Sequence, residues 1–264
     1  MRTAPEPEDP MPGRAPIDRV ATHPGPAAAR PADSPVFWAI PQARHWLLWG
    51  ILLSAAVLAI GLAAQLMPGG SATEFGVDQN LSQHHVAVLT GVAMALNVVF
   101  GPMAGVVLIA AAALCLWLVR GSLVRAVVFG LVASSGWVAS EFFKLIIARQ
   151  RPDPGLLFDP LSPETGSNSF PSGHVCFAVA LGFALYFLAR GTRWAKATAF
   201  AAVAMALVVA WSRLYLGVHY PTDVAASFLA ASAAVILLAG LWNRFAPLIV
   251  DRLPAAAFIR PTRS

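Results

Sequence analysis

Leu47–Met67 reads LLWGILLSAAVLAIGLAAQLM, 21 residues without one charged side chain. A helix rising 1.5 Å per residue covers about 30 Å in that length, the hydrocarbon thickness of a bilayer. Apolar and polar residues do not alternate along it, which argues against a strand. Similar stretches follow at Pro102–Leu118, Ala126–Ile147, Pro171–Ala189, Ala197–Trp211 and Thr222–Trp242, dominated by Ala, Leu, Val and Gly. In lipid a helix satisfies its own backbone polar groups, so six helices are the simplest reading. The expected fold is all-α: a polytopic membrane bundle of six transmembrane helices.

Composition agrees. The 264 residues are 58% hydrophobic and 12% charged, about half the charged fraction usual in a soluble domain. A net charge of +5 spread over the chain is too small and too scattered for a nucleic-acid partner. Cys115 and Cys176 both lie inside apolar runs, so no disulfide framework is expected. Residues 1–44 are rich in Pro, Ala and Arg and lack the apolar surface to offset ordering, so a disordered tail is expected there. They also lack the short apolar core of a secretory signal. A six-span domain over 45–244 and a short basic tail over 245–264 complete the division.

One apolar segment, VAVLTGVAMALNVVF (Val86–Phe100), is separated from the second span only by Gly101-Pro102. Two full spans cannot readily reverse across so short a link, so a short interfacial helix is expected near 86–100. Loop charges support this choice. With six spans, both tails and the loops carrying Arg120, Arg125, Arg190, Arg193 and Lys196 share one side, which the positive-inside rule makes cytoplasmic. Only Lys144, Arg149, Arg151 and Arg213, four of the 18 basic residues, fall on the other side. The expected location is a cytoplasmic (inner) membrane, with both termini inside and those four residues at the outer face.

Those residues fall into two groups. Lys144 and Arg151-Pro152 close the third span, and Ser212-Arg213, His219 and Asp223 join the fifth and sixth. Pro171-Ser172-Gly173-His174 opens the fourth span between them. All three groups follow odd-numbered spans, so they share a side whichever way the chain is inserted. Lys144 and Arg151 stand two helical turns apart and share a face if the helix continues that far. Guanidinium forks suit phosphate oxygens. Backbone N–H groups near Ser172 and Gly173 sit at an expected helix N-terminus, a ready anion site. His174 and His219 can divide nucleophile and proton donor between them, and Asp223 can hold one imidazole nitrogen. Such a set suits attack at phosphorus. No HExxH, EF-hand or Cys/His cluster calls for a metal, and no other cofactor is expected.

The three segments, K-x6-R-P, P-S-G-H and S-R-x5-H-x3-D, resemble the signature of the type 2 phosphatidic acid phosphatase superfamily, in order and at every signature position. The resemblance covers about 47–243. It implies that His219 attacks phosphorus to form a phosphohistidine, oriented by Asp223, and that His174 protonates the leaving oxygen. It also implies that Lys144, Arg151, Ser172, Gly173 and Arg213 bind phosphate oxygens. Members of the family act without metal on lipid phosphates and prenyl diphosphates, and soluble relatives bind vanadate and act as haloperoxidases. A membrane-lipid substrate is therefore expected as the partner, and no protein partner can be inferred. Transfer of a phosphoryl or headgroup to a lipid or sugar acceptor is the alternative chemistry, and a non-catalytic scaffold or transporter on the same fold is the remaining one. The loop Asp153–Phe170 is expected to help select the substrate.

Other polar residues receive plainer readings. Glu141 is expected to pair with Lys144 at i, i+3. His84-His85 are read as interfacial polar residues, and Trp211 and Tyr215 as an aromatic belt. Arg149 either helps the site or neighbours lipid headgroups. Cys176 is read as a small buried residue.

Overall fold

In the computed structural model, which describes Met1 and residues 39–250 (side chains as far as Leu248), eight α-helices stand in the unit Val36–Ser264. They are α1 Trp46–Leu66, α2 Gly70–Ser82, α3 Ala87–Val99, α4 Pro102–Arg120, α5 Leu123–Ile147, α6 Gly173–Ala189, α7 Ala195–Tyr215 and α8 Pro221–Val250. A short 3-10 turn, Pro154–Leu156, lies in the long loop between α5 and α6. The described residues contain no strand.

Local chemistry sets several of the boundaries. Pro102 opens α4, where its missing N–H costs nothing. Gly121 closes that helix in the left-handed conformation, and Ser122 caps the next by accepting the Arg125 N–H at 3.4 Å. This two-residue link makes α4 and α5 antiparallel neighbours. At its other end α5 stops at Ile147, because Ala148 turns left-handed with φ 48°. The helix does not continue to Arg151, so Lys144 and Arg151 do not share a helical face. Arg151 reaches the site from extended chain instead.

Helix α6 is the hub, packed against α5, α7 and α8. Its sequence is apolar on every side, and Val175 through Ala180, Gly182 and Ala184 are all buried. Gly136 of α5 faces it so closely that an added Cβ would lie 2.1 Å from the Cys176 carbonyl oxygen. Small residues at such crossings are how membrane helices bring their backbones together. Trp137 stacks on Phe177 with ring centroids 4.1 Å apart, continuing the same interface.

Five helices, α1, α4, α5, α7 and α8, are long and apolar enough to cross a membrane by length and composition. The segment expected as the fourth span is the shorter α6, 17 residues or about 26 Å. The apolar run near 86–100 is a short helix, α3, and it packs mainly on α7. Helix α2 was not foreseen. Its mixed sequence GSATEFGVDQNLS carries no apolar stripe, and it packs beside α7, α1 and α8.

The expected tail 1–44 lies outside the described residues except for Met1 and its last six residues. There Ile40 is buried, its N–H given to Asn243 Oδ1 at 2.9 Å and its carbonyl taking Asn243 Nδ2–H at 2.7 Å. Helix α8 runs past the expected boundary at 244 to Val250, and residues 251–264 lie outside the described set.

Candidate active site

The three sequence groups meet at one end of the bundle. The chain leaves α5 extended and pairs with the returning loop: Arg151 N–H donates to Gly166 O and Ser169 N–H to Arg149 O, both at 3.0 Å. Arg213 sits in the last turn of α7. Beyond it the chain reverses through Gly217 at φ 66°, where an added Cβ would also lie 2.5 Å from Leu157 Cδ1. That turn delivers His219, and Asp223 follows in the first turn of α8.

His219 is almost fully buried. Its Nδ1 faces Asp223 Oδ2 at 3.6 Å and Ser169 Oγ at 3.5 Å. The Ser169 hydroxyl donates to the same Asp223 oxygen at 2.5 Å. On the opposite edge Nε2 lies 3.4 Å from Arg151 NH1. One ring nitrogen is thus turned to the carboxylate and the other to the cations. Burial, with Arg151, Arg213 and Lys144 adding to it, pushes the imidazole well below its ordinary pKa. His219 is therefore neutral near pH 7, with a proton on the Asp223 side and a lone pair toward the cations.

The cations form a cradle. Arg213 has no exposed surface; its NH2 donates to Glu164 Oε1 at 2.9 Å and its NH1 to Asn97 Oδ1. Arg151 donates to Glu164 Oε2 at 2.8 Å, to Asn168 Oδ1 at 2.7 Å and to the Val218 carbonyl at 3.0 Å. Glu164 thus places one carboxylate oxygen on each arginine. Lys144 pairs with Glu141 at 2.7 Å, the simple i, i+3 contact the sequence suggested. Its ammonium also stands over the start of α6, 3.5 Å from where a Cβ on Gly173 would be.

At that helix start the structure corrects one detail. The Ser172 N–H is not open to a ligand, because it donates to Ser227 Oγ at 2.9 Å. Ser227 in turn donates to the Asp223 carbonyl at 2.7 Å, tying the second motif to the third. What remains for an anion is the first-turn amides of Gly173 and His174, which have no intrahelical acceptor, and the Ser172 hydroxyl. That hydroxyl is buried and without a hydrogen-bond partner among the described residues. His174 gives or shares a proton through Nε2 with the Asn97 carbonyl at 3.0 Å.

All eight expected residues (His219, His174, Asp223, Lys144, Arg151, Ser172, Gly173 and Arg213) therefore surround one region. Several others there were not assigned to the site: Asn97, Ser169, Glu164 and Ser227. Asn97 had a signal, since with Thr90 it is the only polar side chain in the apolar run 86–100. Arg149 proves to be a buried partner of Asp223, with NH1 to Oδ1 at 2.6 Å, and does not sit against headgroups. His85 and Tyr215 also differ from their plain readings. His85 bonds Asp159 and the Tyr215 carbonyl, both at 2.9 Å, and the Tyr215 hydroxyl takes the Val86 N–H at 2.8 Å. Together they dock the start of α3 on α7.

Comparison with known proteins points the same way. The sequence profile of the PAP2 superfamily matches residues 123–246, which contain every motif above. Undecaprenyl-diphosphatase BcrC of Bacillus subtilis is 29% identical over 168 residues, 63% of this chain and 79% of that protein. Putative undecaprenyl-diphosphatase YbjG of Escherichia coli is 35% identical over 86 residues, 33% of this chain and 41% of that one. A solved transmembrane PAP2-type phosphatidylglycerolphosphate phosphatase from Bacillus subtilis shares the fold, with TM-score 0.60 and 24% identity over 75% of this chain and 94% of that one. Fold, motifs and profile define a multi-pass membrane phosphatase. More particularly, the family match lies in residues 123–246, nearly half of the chain, and is to the PAP2 superfamily.

Proposed function

We propose that the protein hydrolyses a prenyl diphosphate or a lipid phosphate held in the membrane by its apolar tail, through a phosphohistidine and without a metal ion. The observation that carries this reading is the two-sided setting of His219: Nδ1 toward Asp223, Nε2 toward Arg151. In the first step Nε2 bonds to phosphorus and the bond to the leaving oxygen breaks. His174 protonates that oxygen; its Nε2–H goes to the Asn97 carbonyl, so the proton leaves from Nδ1, which is loaded when the negative charge of the bound phosphate favours the imidazolium. Water then cleaves the P–N bond and frees inorganic phosphate, with the proton returned through His174. Arg151, Arg213, Lys144, the Ser172 hydroxyl and the α6 amides stabilise the charge that builds on the phosphoryl oxygens. Glu164 must give up its two arginines when phosphate binds.

Prenyl diphosphates come first as substrates because two of the relatives by sequence are named undecaprenyl-diphosphatase and putative undecaprenyl-diphosphatase. The topology in this reading is six spans, counting α6, with both termini cytoplasmic and the site at the outer face of the inner membrane. That location lets the tail remain in lipid while the phosphate enters the cradle. Release of inorganic phosphate from farnesyl and undecaprenyl diphosphate and from phosphatidylglycerol phosphate, with EDTA present, tests the chemistry. Activity is expected to survive EDTA, to be inhibited by vanadate, and to vanish in His219→Ala. Full activity in His219→Ala refutes the covalent mechanism. Labelling of single cysteines in 153–170 by an impermeant reagent on intact cells tests the orientation, and protection from it refutes an outward-facing site.

A further inference from the structure

We propose that Arg149 is a positioning residue for the His219 nucleophile, acting through Asp223 and anchored by Glu74 of α2. The inference rests on the phosphatase reading above.

Its starting point is the freedom of a carboxylate. The last torsion of an aspartate is broad, so its own rotamer does not aim either oxygen. In Asp223 the two oxygens have separate partners. Oδ1 takes Arg149 NH1 at 2.6 Å, while Oδ2 takes Ser169 Oγ at 2.5 Å and the Tyr220 N–H at 3.1 Å, and faces His219. Fixing Oδ1 is what leaves Oδ2 directed at the imidazole.

Arg149 is itself held through both terminal nitrogens and its ring-facing plane. NH1 also reaches Thr222 Oγ1 at 2.6 Å, and NH2 reaches Ser71 Oγ at 3.0 Å and Glu74 Oε1 at 3.2 Å. The guanidinium plane lies over the Tyr220 ring, 4.1 Å from its centroid. Glu74 grips the same turn directly, taking the Thr222 N–H at 2.9 Å. Tyr220, Thr222 and Asp223 are the residues that follow His219, so the fork holds the stretch carrying the nucleophile. None of its hydrogen bonds goes to Lys144, Arg151, Ser172, Gly173, Arg213 or Glu164, so Arg149 stands outside the phosphate cradle. A planar fork can join two carboxylates and two hydroxyls in this way, and a lysine cannot.

The test uses the purified full-length protein in detergent, with farnesyl diphosphate as substrate and inorganic phosphate as competitive inhibitor. Arg149→Gln is expected to lower kcat about 100-fold, the scale of a misplaced reacting group. KM and the inhibition constant of phosphate should stay within about threefold, because the cradle is intact. Arg149→Lys, which keeps the charge and one contact to Asp223, is expected to recover at least tenfold of that loss. Wild-type kcat in folded Arg149→Gln overturns the proposal. So does a tenfold rise in KM and in the phosphate constant with kcat retained, which would make Arg149 a phosphate ligand. A lysine variant no better than the glutamine variant overturns it as well. If Arg149→Gln does not fold, Arg149→Lys alone decides: lower kcat at unchanged KM supports the proposal, and unchanged kcat overturns it. Absence of phosphate release by the wild type from every prenyl and lipid substrate defeats the phosphatase reading itself, and is distinguishable because it appears before any variant is compared.

Discussion

Ser227→Ala removes a single oxygen and tests whether α8 holds the Pro171-Ser172-Gly173-His174 turn. Ser227 lies one helical turn past Asp223, fully buried, and its hydroxyl is the acceptor for the Ser172 N–H at 2.9 Å. Ser172 is fully buried as well, so water does not replace the lost acceptor. A buried donor left without a partner costs about 1–3 kcal/mol. For a chain of this size that corresponds to a fall in Tm of roughly 3–10 °C. The bond from Ser227 to the Asp223 carbonyl disappears too, but that oxygen keeps its place in the helix ladder and contributes little. With the turn loosened, the α6 amides and His174 lose registry with His219, and kcat/KM is expected to fall about tenfold. Thermal unfolding in detergent and phosphate release from farnesyl diphosphate measure the two effects. Ser134→Ala is the control: its hydroxyl donates to Leu131 O on an exposed surface, and the expected change is within about 0.5 kcal/mol. If Ser227→Ala unfolds with the control and keeps full activity, the turn is not held from α8.

Three further outcomes follow from the charges. His219 is held well below its ordinary pKa by burial and by Arg151, Arg213 and Lys144, so it stays neutral as pH falls through the usual histidine range near 6.5; the acid limb of kcat should lie well below that value and move upward in Arg151→Gln, and a wild-type limb at 6.5 contradicts the assigned environment. Burial, with Asp223 and Glu74 adding to it, raises the Asp78 carboxyl from 3.8 to about 8; a pKa raised on folding stabilises fully below the unfolded value and is lost as pH rises through the folded one. Thermal stability should therefore drop between about pH 4 and 8 in the wild type, level off above that, and stay flatter in Asp78→Asn, whereas parallel pH curves for the two would refute the assignment. Glu164→Gln removes the anion that bridges Arg151 and Arg213, so inorganic phosphate should inhibit about tenfold more tightly while Tm falls; weaker inhibition would instead make Glu164 a support for the bound phosphate.

Much of this architecture is legible in the sequence because lipid imposes one rule on long segments. Leu47–Met67 has no charge, and α1 occupies nearly the same residues. The motif residues are legible for a related reason: ionisable groups such as Lys144 and Arg213 persist in apolar surroundings only where they have work to do. Helix α2 is different. Its residues are neither apolar enough for a span nor periodic enough for an amphipathic helix, and its helical state comes from tertiary contacts such as Glu74 with Arg149 and Thr222. The partners of the site were hidden for the same reason. Glu164 and Ser227 are ordinary residues in a loop and on a helix face, and only the docking of α6 against α8 and of the loop against α7 gives them a role. The end of α5 shows the limit of local rules. Pro152 disfavours helical geometry only at Arg151, yet Ala148 breaks the helix earlier and turns the following arginines inward.

The two backbone bonds that join 149–151 to 166–169 divide the long loop into a base and a tip. The base is welded to the arginines and to Ser169, and so to the reaction itself. Residues 152–165 lie beyond it and are tied in turn to their surroundings: Phe158 N–H donates to Ser82 Oγ at 3.1 Å, Asp159 bonds His85 at 2.9 Å, and Leu157 sits beside Gly217. A change of length in the tip is therefore felt in the placement of α2 and α3 as well as in the loop itself. The loop is thus a clamp: its base holds the arginines, and its tip holds α2 and the start of α3 against the end of α7 that carries Arg213.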